Sequence, residues 1–308
     1  MQRNSPPYGE PVALAEAVRR ITAPNPSPMT FEGTQSYLLG PPGGPLLLID
    51  PGPDMSPHRE AIMAAAAGAT IAAILVTHSH LDHTGGVAAM KAATGAEVLA
   101  FGVHSAGMSA QMRALREAGI GLGGGEGADR AFAPDRCLAD GDAVEIGDVA
   151  LRAVHTPGHL GNHLAFHAPA LDLLFTGDAV MGWSTTLVSP PEGDMAAQMR
   201  TLRRLAALAD ATPALRLMPG HGPVVEAASA LIAEQIAHRE ARRAALIGAL
   251  GPGPATARAL AERLYTDTPP ALLPAAARNV FATLLQLEEE GVASASGPPG
   301  PDTPYALV

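Results

Sequence analysis

Cysteine is almost missing. Cys137 is the only one among 308 residues, so no intramolecular disulfide can form and a reducing compartment is permitted. Such a residue is most simply a small buried hydrophobe. No run of eighteen or more apolar residues occurs, which leaves out an ordinary membrane-spanning helix. The first residues, MQRNSPPYGEP, lack the apolar stretch of a secretory signal. Positive charge is in deficit, with 20 Lys and Arg against 30 Asp and Glu and a formal net charge of -10. That balance argues against a surface that grips nucleic acid or anionic membrane as a whole, although a local basic groove is compatible with it. No internal repeat is visible either. These absences point to a cytoplasmic protein without a membrane partner.

What is present describes an ordinary core with many stiff turns: 47% of residues are hydrophobic, beside 33 glycines and 29 prolines. YLLGPPGGPLLLID reads as two short strands about a Pro/Gly turn, ended by Asp50. A helix is predicted over 57–67, then TIAAILV as a buried strand, GGVAAMKAATG as helix and EVLAF as strand. This alternation argues for an α/β layered architecture. The poorly periodic stretch 102–134 reads as helix plus a mobile loop; its GIGLGGGEG lacks the strand-to-helix setting of a nucleotide loop. Strand-like runs follow in DAVEIG, VALRAVH, HLAFH and LDLLF, then helix over 195–209, the strand LRLMPG, and the long helix AASALIAEQIAHREARRAALIGAL. GPGPA at 251–255 marks a boundary. Beyond it ATARALAERLY and LPAAARNVFATLLQLEEEG read as helices and VASASGPPGPDTPYALV as two short strands, a winged-helix-like order. The expected division is a catalytic domain over 1–250 and a small C-terminal domain over 251–308.

One stretch, THSHLDHTGG at 77–86, puts three histidines and an aspartate inside six positions directly after an apolar run. If the chain leaves its strand extended, the period of two sends His78, His80 and Asp82 to one side, and His83 turns with the chain toward Gly85 and Gly86. Imidazole and carboxylate are ligands that suit zinc and other borderline divalent metals. Four such groups can give two ligands to each of two ions. HTPGHLGNH places His155, His159 and His163 after another strand, and RLMPGHGP sets His221 between glycines at the end of a third. LLFTGDAV places Asp178 at the end of an apolar strand, where a bare carboxylate is costly to bury unless paired or metal-bound. Strand ends in an α/β sheet converge on one edge, where ligands usually bind.

The ordered series THSHLDH, HTPGH, TGD and PGHG resembles the metallo-β-lactamase superfamily. The resemblance implies a four-layered αβ/βα sandwich with a metal site in the cleft between two sheets. It implies that His78, His80 and His159 hold a first divalent ion, that Asp82, His83 and His221 hold a second, and that Asp178 bridges them. Asp50, in LLIDPG, matches an aspartate that orients a ligand histidine, against a plain turn or cap role. Cys137 matches no ligand position, unlike the thiolate of many true β-lactamases. The implied chemistry is hydrolysis by a hydroxide bridging the two ions, with Asp82 both ligating and orienting it. His163 is a candidate for a catalytic, substrate-facing role or for a supporting one behind the ligands. The expected ions are Zn2+, with Mn2+ or Fe2+ as alternatives.

A narrower likeness is carried by NPSPMTFEGTQSYLL, by GDAVMGWSTTLVSPPEGD, by PGHGPVV with AHREARR, and by the LEEEGV that closes the last helix. In these the chain resembles the β-lactamase-like protein 2 family, which implies an endonuclease of single-stranded RNA. The mitochondrial location of that family's animal members is not carried over, because no transit peptide is legible. A hydrolase of small esters or thioesters, similar to glyoxalase II, would use the same metals and residues; the acidity favours a small substrate, the whole-chain likeness RNA. A metal-sensing winged-helix regulator is the least favoured reading. The module's long helix offers only Arg278 as a cation and ends in three glutamates, a poor face for sequence-specific duplex DNA. The module is expected instead to pack on the catalytic domain, to make a homodimer contact or to shape the cleft.

Arg239, Arg242 and Arg243 share one helical face. They read as a solvated face paired to Glu240 or to the C-terminal module, with a phosphate-reading patch as the alternative. Thr185 and Thr186 either line the cleft or hydrogen-bond within their loop. His58, His104, His167 and His238 read as ordinary surface or packing residues.

Overall fold

The computed structural model describes residues 7–41, 43–123, 127–147 and 149–308. The first six residues of the N-terminal stretch and the centre of GIGLGGGEG lie outside them. In one sheet β1 (Val12–Ala15), β2 (Val18–Thr22), β3 (Gln35–Leu39), β4 (Leu46–Ile49), β5 (Ile71–Leu75), β6 (Glu97–Ala100) and β7 (Arg136–Cys137) lie in sequence order. The first four pair antiparallel. From β4 onward the pairing is parallel, with the connections made by α1 (Ser56–Ala66), by the one-turn α2 (Leu81–Thr84) with α3 (Val87–Thr94), and by α4 (Ala110–Glu117). β4 is wholly apolar and buried, β3 is buried throughout despite Gln35 and Ser36 at its start, and β5 is apolar with only Ala72 exposed, as in strands covered from both sides. The hairpin of β1 and β2 leaves no mark in the sequence pattern, because Arg19 and Arg20 interrupt its apolar positions.

The second sheet holds β8 (Ala143–Ile146), β9 (Val149–His155), β10 (Leu164–Ala168), β11 (Leu173–Gly177) and β12 (Arg216–Pro219), ordered β12-β11-β10-β9-β8. Its pairs are antiparallel except β11 with β12, which are joined through α5 (Met195–Ala211). The two sheets meet through Tyr37, Leu39, Ile49 and Leu75 on one side and Phe166, Phe175 and Met218 on the other. Tyr37 and Phe175 touch edge to face with centroids 5.0 Å apart. Outside the first sheet, Ile62 and Met90 cover Leu38, Leu48 and Ile74. Outside the second, Leu202 and Leu205 of α5 and Ile232 of α6 (Ala228–Leu250) cover Ala165, Leu174 and Leu217. Helix, sheet, sheet and helix therefore stack in the four layers implied by the motif series.

Beyond α6 come α7 (Ala257–Leu264), α8 (Leu273–Glu289) and the hairpin of β13 (Ala293–Ala295) and β14 (Tyr305–Leu307). Thr256 caps α7 by accepting from Ala259 N. Phe281, Leu284 and Tyr305 pack with Met112 and Leu115 of α4 and with Leu246 and Leu250 of α6 in one buried cluster. Of the three arrangements expected for this module, docking on the preceding domain is the one seen. Cys137 corrects an expectation: it is exposed, because both residues of the two-residue edge strand β7 are uncovered. No helix among the described residues is long and apolar enough to cross a membrane.

Candidate metal centre

The parallel strand β5 carries the chain to the open edge of its sheet, and extended backbone persists as far as His80. Leu81 then starts α2. The extended course expected through Asp82 is thus cut short, and Asp82 and His83 reach the cleft from a helical turn. Two glycines make room for it: a Cβ on Gly86 would stand 2.8 Å from the Pro51 carbonyl oxygen, and one on Gly85 2.6 Å from that of Leu81. His159 follows β9, Asp178 follows β11 and His221 follows β12, so four strand ends deliver their side chains to one place.

There the rings of His78, His80 and His159 converge. His80 Nδ1 lies 3.0 Å from His78 Nε2 and 2.9 Å from His159 Nε2. Ligand atoms around a tetrahedral zinc ion stand about 3.3 Å apart, close to these spacings. A second group holds Asp82, His83 and His221. His83 Nε2 lies 3.4 Å from His221 Nε2 and 3.4 Å from Asp82 Oδ2, and His221 Nε2 lies 3.3 Å from that oxygen. Asp178 stands between the groups, Oδ2 being 3.7 Å from His159 Nε2 and 3.4 Å from His221 Nε2, while Oδ1 is 3.6 Å from His83 Nε2. Every ligand residue expected from the motif series is therefore in this cluster, and both triads have ligand atoms within 4.8 Å of one another.

The outward nitrogens of His78, His83, His159 and His221 are fixed from behind, which turns the inward nitrogen of each toward the cluster. Asp50 is the main anchor. Its Oδ2 accepts from His83 Nδ1 at 2.9 Å and from Thr77 Oγ1 at 2.7 Å, and its Oδ1 accepts from Thr77 N at 2.8 Å. Because the Thr77 hydroxyl proton goes to Asp50, His78 Nδ1 donates to Thr77 Oγ1 at 3.0 Å. His159 Nδ1 donates to Leu187 O at 2.8 Å and lies 3.1 Å from Thr186 Oγ1; His221 Nδ1 donates to Gly33 O at 3.3 Å. Thr34 Oγ1 donates to Asp82 Oδ2 at 2.9 Å, and its own place is set by Asn25. Thr34, Thr77 and the Leu187 carbonyl carry no signal in the sequence beyond their nearness to the motifs. Thr186 takes the hydrogen-bonding role of its two expected ones.

His163 is corrected. It is fully buried, its ring stacked on His78 with centroids 5.0 Å apart. Its Nε2 accepts from Asp178 N at 3.1 Å, which puts the ring proton on Nδ1, 2.7 Å from Thr156 Oγ1. Both nitrogens are thus engaged inside the protein, and the catalytic, substrate-facing role gives way to positioning Asp178. His155 likewise turns away, its Nε2 donating to Gly161 O at 2.9 Å and its ring stacked on Phe101.

The two ends of the cluster differ in charge. Burial, with His83 and His80 nearby, holds the His78 imidazole well below its usual range; burial and His159 push His80 down to about 3, and burial also lowers His159. At the other end burial works in the same direction, but Asp82, Asp178 and Asp50 outweigh it and raise His83 to about 9. Asp178 and Asp82 likewise raise His221 well above its usual value. Against the cost of burial, those two imidazoles keep the carboxyls of Asp82 and Asp178 below their ordinary range. The first triad is neutral, as nitrogen ligands must be, and the second attracts positive charge. A divalent ion fits that demand. It also fits Asp178 Oδ1, which is enclosed and accepts no hydrogen bond, a costly state for a carboxylate oxygen unless a cation faces it. Space is kept for that oxygen by Gly220, where a Cβ would lie 2.5 Å from it and 2.8 Å from His83 Cε1.

The chain is similar to known proteins over most of its length. The profile of the metallo-beta-lactamase superfamily matches residues 29–221, and that of the beta-lactamase associated winged helix domain matches 256–298. A beta-lactamase-like protein 2 homolog of Caenorhabditis elegans is 30% identical over 92% of this chain and 88% of its own. An atrochrysone carboxyl ACP thioesterase of Aspergillus fumigatus is 31% identical over 80% of this chain and 69% of its own. The crystal structure of a beta-lactamase domain protein from Burkholderia ambifaria superposes with a TM-score of 0.80 at 24% identity, covering 98% of this chain and 95% of that one; it shares the fold.

Proposed function

The chain belongs to the metallo-beta-lactamase superfamily, a hydrolase fold carrying a His/Asp metal site, and on that footing we propose that it is a two-ion enzyme cleaving phosphodiester bonds in single-stranded RNA. The observation that carries the two-ion reading is the pair of triads on either side of Asp178. His78, His80 and His159 would hold one ion, Asp82, His83 and His221 the other, and Asp178 would bridge. Zn2+ suits this N/O set best, with Mn2+ or Fe2+ as alternatives. Such ions supply an activated water nucleophile near neutral pH and a charge sink for the leaving oxygen.

The chain's own residues do the positioning. Thr34 fixes the Asp82 carboxylate that would orient the attacking water, and Asp50 fixes His83 and, through Thr77, His78. With His163 enclosed, solvent is left to protonate the leaving group. The RNA reading is supported by the likeness to beta-lactamase-like protein 2, which spans both the sandwich and the C-terminal module. A cytoplasmic location belongs to the same proposal. Duplex DNA is left out of its partners, because much of α8 is buried against the rest of the chain.

A thioester is the second reading, favoured by the 31% identity to the fungal thioesterase. The test gives the metal-loaded protein an end-labelled single-stranded RNA and, separately, a small acyl thioester, with Asp82→Ala purified identically. The account expects RNA cleavage that falls by at least about a hundredfold in the variant. Equal cleavage by both proteins would mean a contaminant, and turnover of the thioester alone would transfer the proposal to the second reading.

A further inference from the structure

A cavity of about 430 Å³ lies where α5, α6 and α8 meet, outside the metal cluster. Four arginines line it, Arg203, Arg239, Arg242 and Arg243, against two glutamates, Glu240 and Glu290. Arg203 pairs with Glu240 at 3.1 Å, and Arg243 pairs with Glu290 of the C-terminal module. The sequence expectation for this face is thus met only in part, since Glu240 serves Arg203 and two guanidiniums are left with no carboxylate partner among the described residues.

Those two differ in setting. Arg239 is drawn inward: Nη2 donates to Thr186 O at 2.5 Å, Nη1 reaches Met195 Sδ at 3.6 Å, and Nε is enclosed with no acceptor. Burial brings its guanidinium down to about 10, so it stays charged at neutral pH. Arg242 is exposed; it lies over the Tyr265 ring at 4.5 Å and donates to Leu264 O at 3.2 Å. Asn279 and Gln286 on α8 add amide groups to the wall. An enclosed guanidinium donor without an acceptor is expensive, and two uncompensated arginines facing one cavity suit a dianionic tetrahedral group, which a guanidinium fork binds through paired hydrogen bonds.

We propose that this cavity is a second binding site of the protein, taking the phosphoryl group of a small phosphorylated ligand between Arg239 and Arg242. It adjoins the metal cluster through one segment. The Thr186 carbonyl accepts from Arg239, while the Thr186 hydroxyl and the Leu187 carbonyl hold His159. The phosphoryl group can belong to a free effector or to a part of the substrate distant from the bond that is cut.

Calorimetric titration of inorganic phosphate into the metal-loaded protein tests this without any need for turnover, so its outcome is separate from that of the hydrolysis assay. Arg242→Gln, at an exposed position, should weaken the binding by about tenfold or more with the metal content unchanged; Arg239→Gln should do at least as much. Phosphate that binds the wild type and both variants alike sits at the metal centre only and overturns the proposal, as does absence of binding at millimolar phosphate. Where a substrate is in hand, phosphate that raises KM in the wild type and not in Arg242→Gln assigns the site to the substrate's own phosphoryl group. An effect on kcat alone assigns it to a separate effector.

Discussion

A histidine buried in its neutral form loses ground when the pH falls, and His58 is one. It is 1% exposed, its Nε2 is 2.8 Å from Ser36 Oγ, and burial lowers its pKa to about 4. Since the folded value lies below the unfolded one of about 6.5, the contribution is fully present above pH 6.5. It is lost as the pH drops through that window toward 4, by up to about 3 kcal/mol. Urea unfolding at several pH values should therefore show a shallower acid loss in His58→Gln than in the wild type; identical slopes would contradict the assignment. At this scale the sequence shows the ligands plainly, because each follows a strand within a short motif. It hides their supports. Thr34 meets Asp82 across 48 residues, and a carbonyl such as that of Leu187 has no residue type to betray it. Gly220 is legible only as a turn, yet its missing Cβ is what admits Asp178 Oδ1.

At the scale of elements, α8 joins two parts of the chain. Phe281 is fully buried among residues of α4, α6 and α7, so the C-terminal module and the sandwich share one core. Phe281→Ala should cost about 3–5 kcal/mol, and the loss should appear in the unfolding of the whole chain, followed by circular dichroism in urea. A separate early transition that leaves the sandwich untouched would show the module to be independent. The strands and helices that line the cleft are legible from their apolar runs and turn residues. The β1–β2 hairpin and the edge strand β7 are not, because pairing with a neighbour, and not local pattern, makes them strands. The run 77–83 reads as extended through Asp82 from its period of two, and only the fold shows the helix that begins at Leu81.

Across the whole molecule, two sheets stacked face to face place the ends of β5, β9, β11 and β12 at one rim, and the centre exists because those four ends coincide. Local sequence gives the ligands; only the packing of the sheets gives their separation. The most direct test of a two-ion centre counts ions. Protein stripped of metal, reloaded with Zn2+, freed of excess and analysed by mass spectrometry should carry two ions per chain, while His221→Ala, which breaks the second triad, should carry about one. Wild type that retains a single ion, or His221→Ala that retains as many as the wild type, would contradict the account.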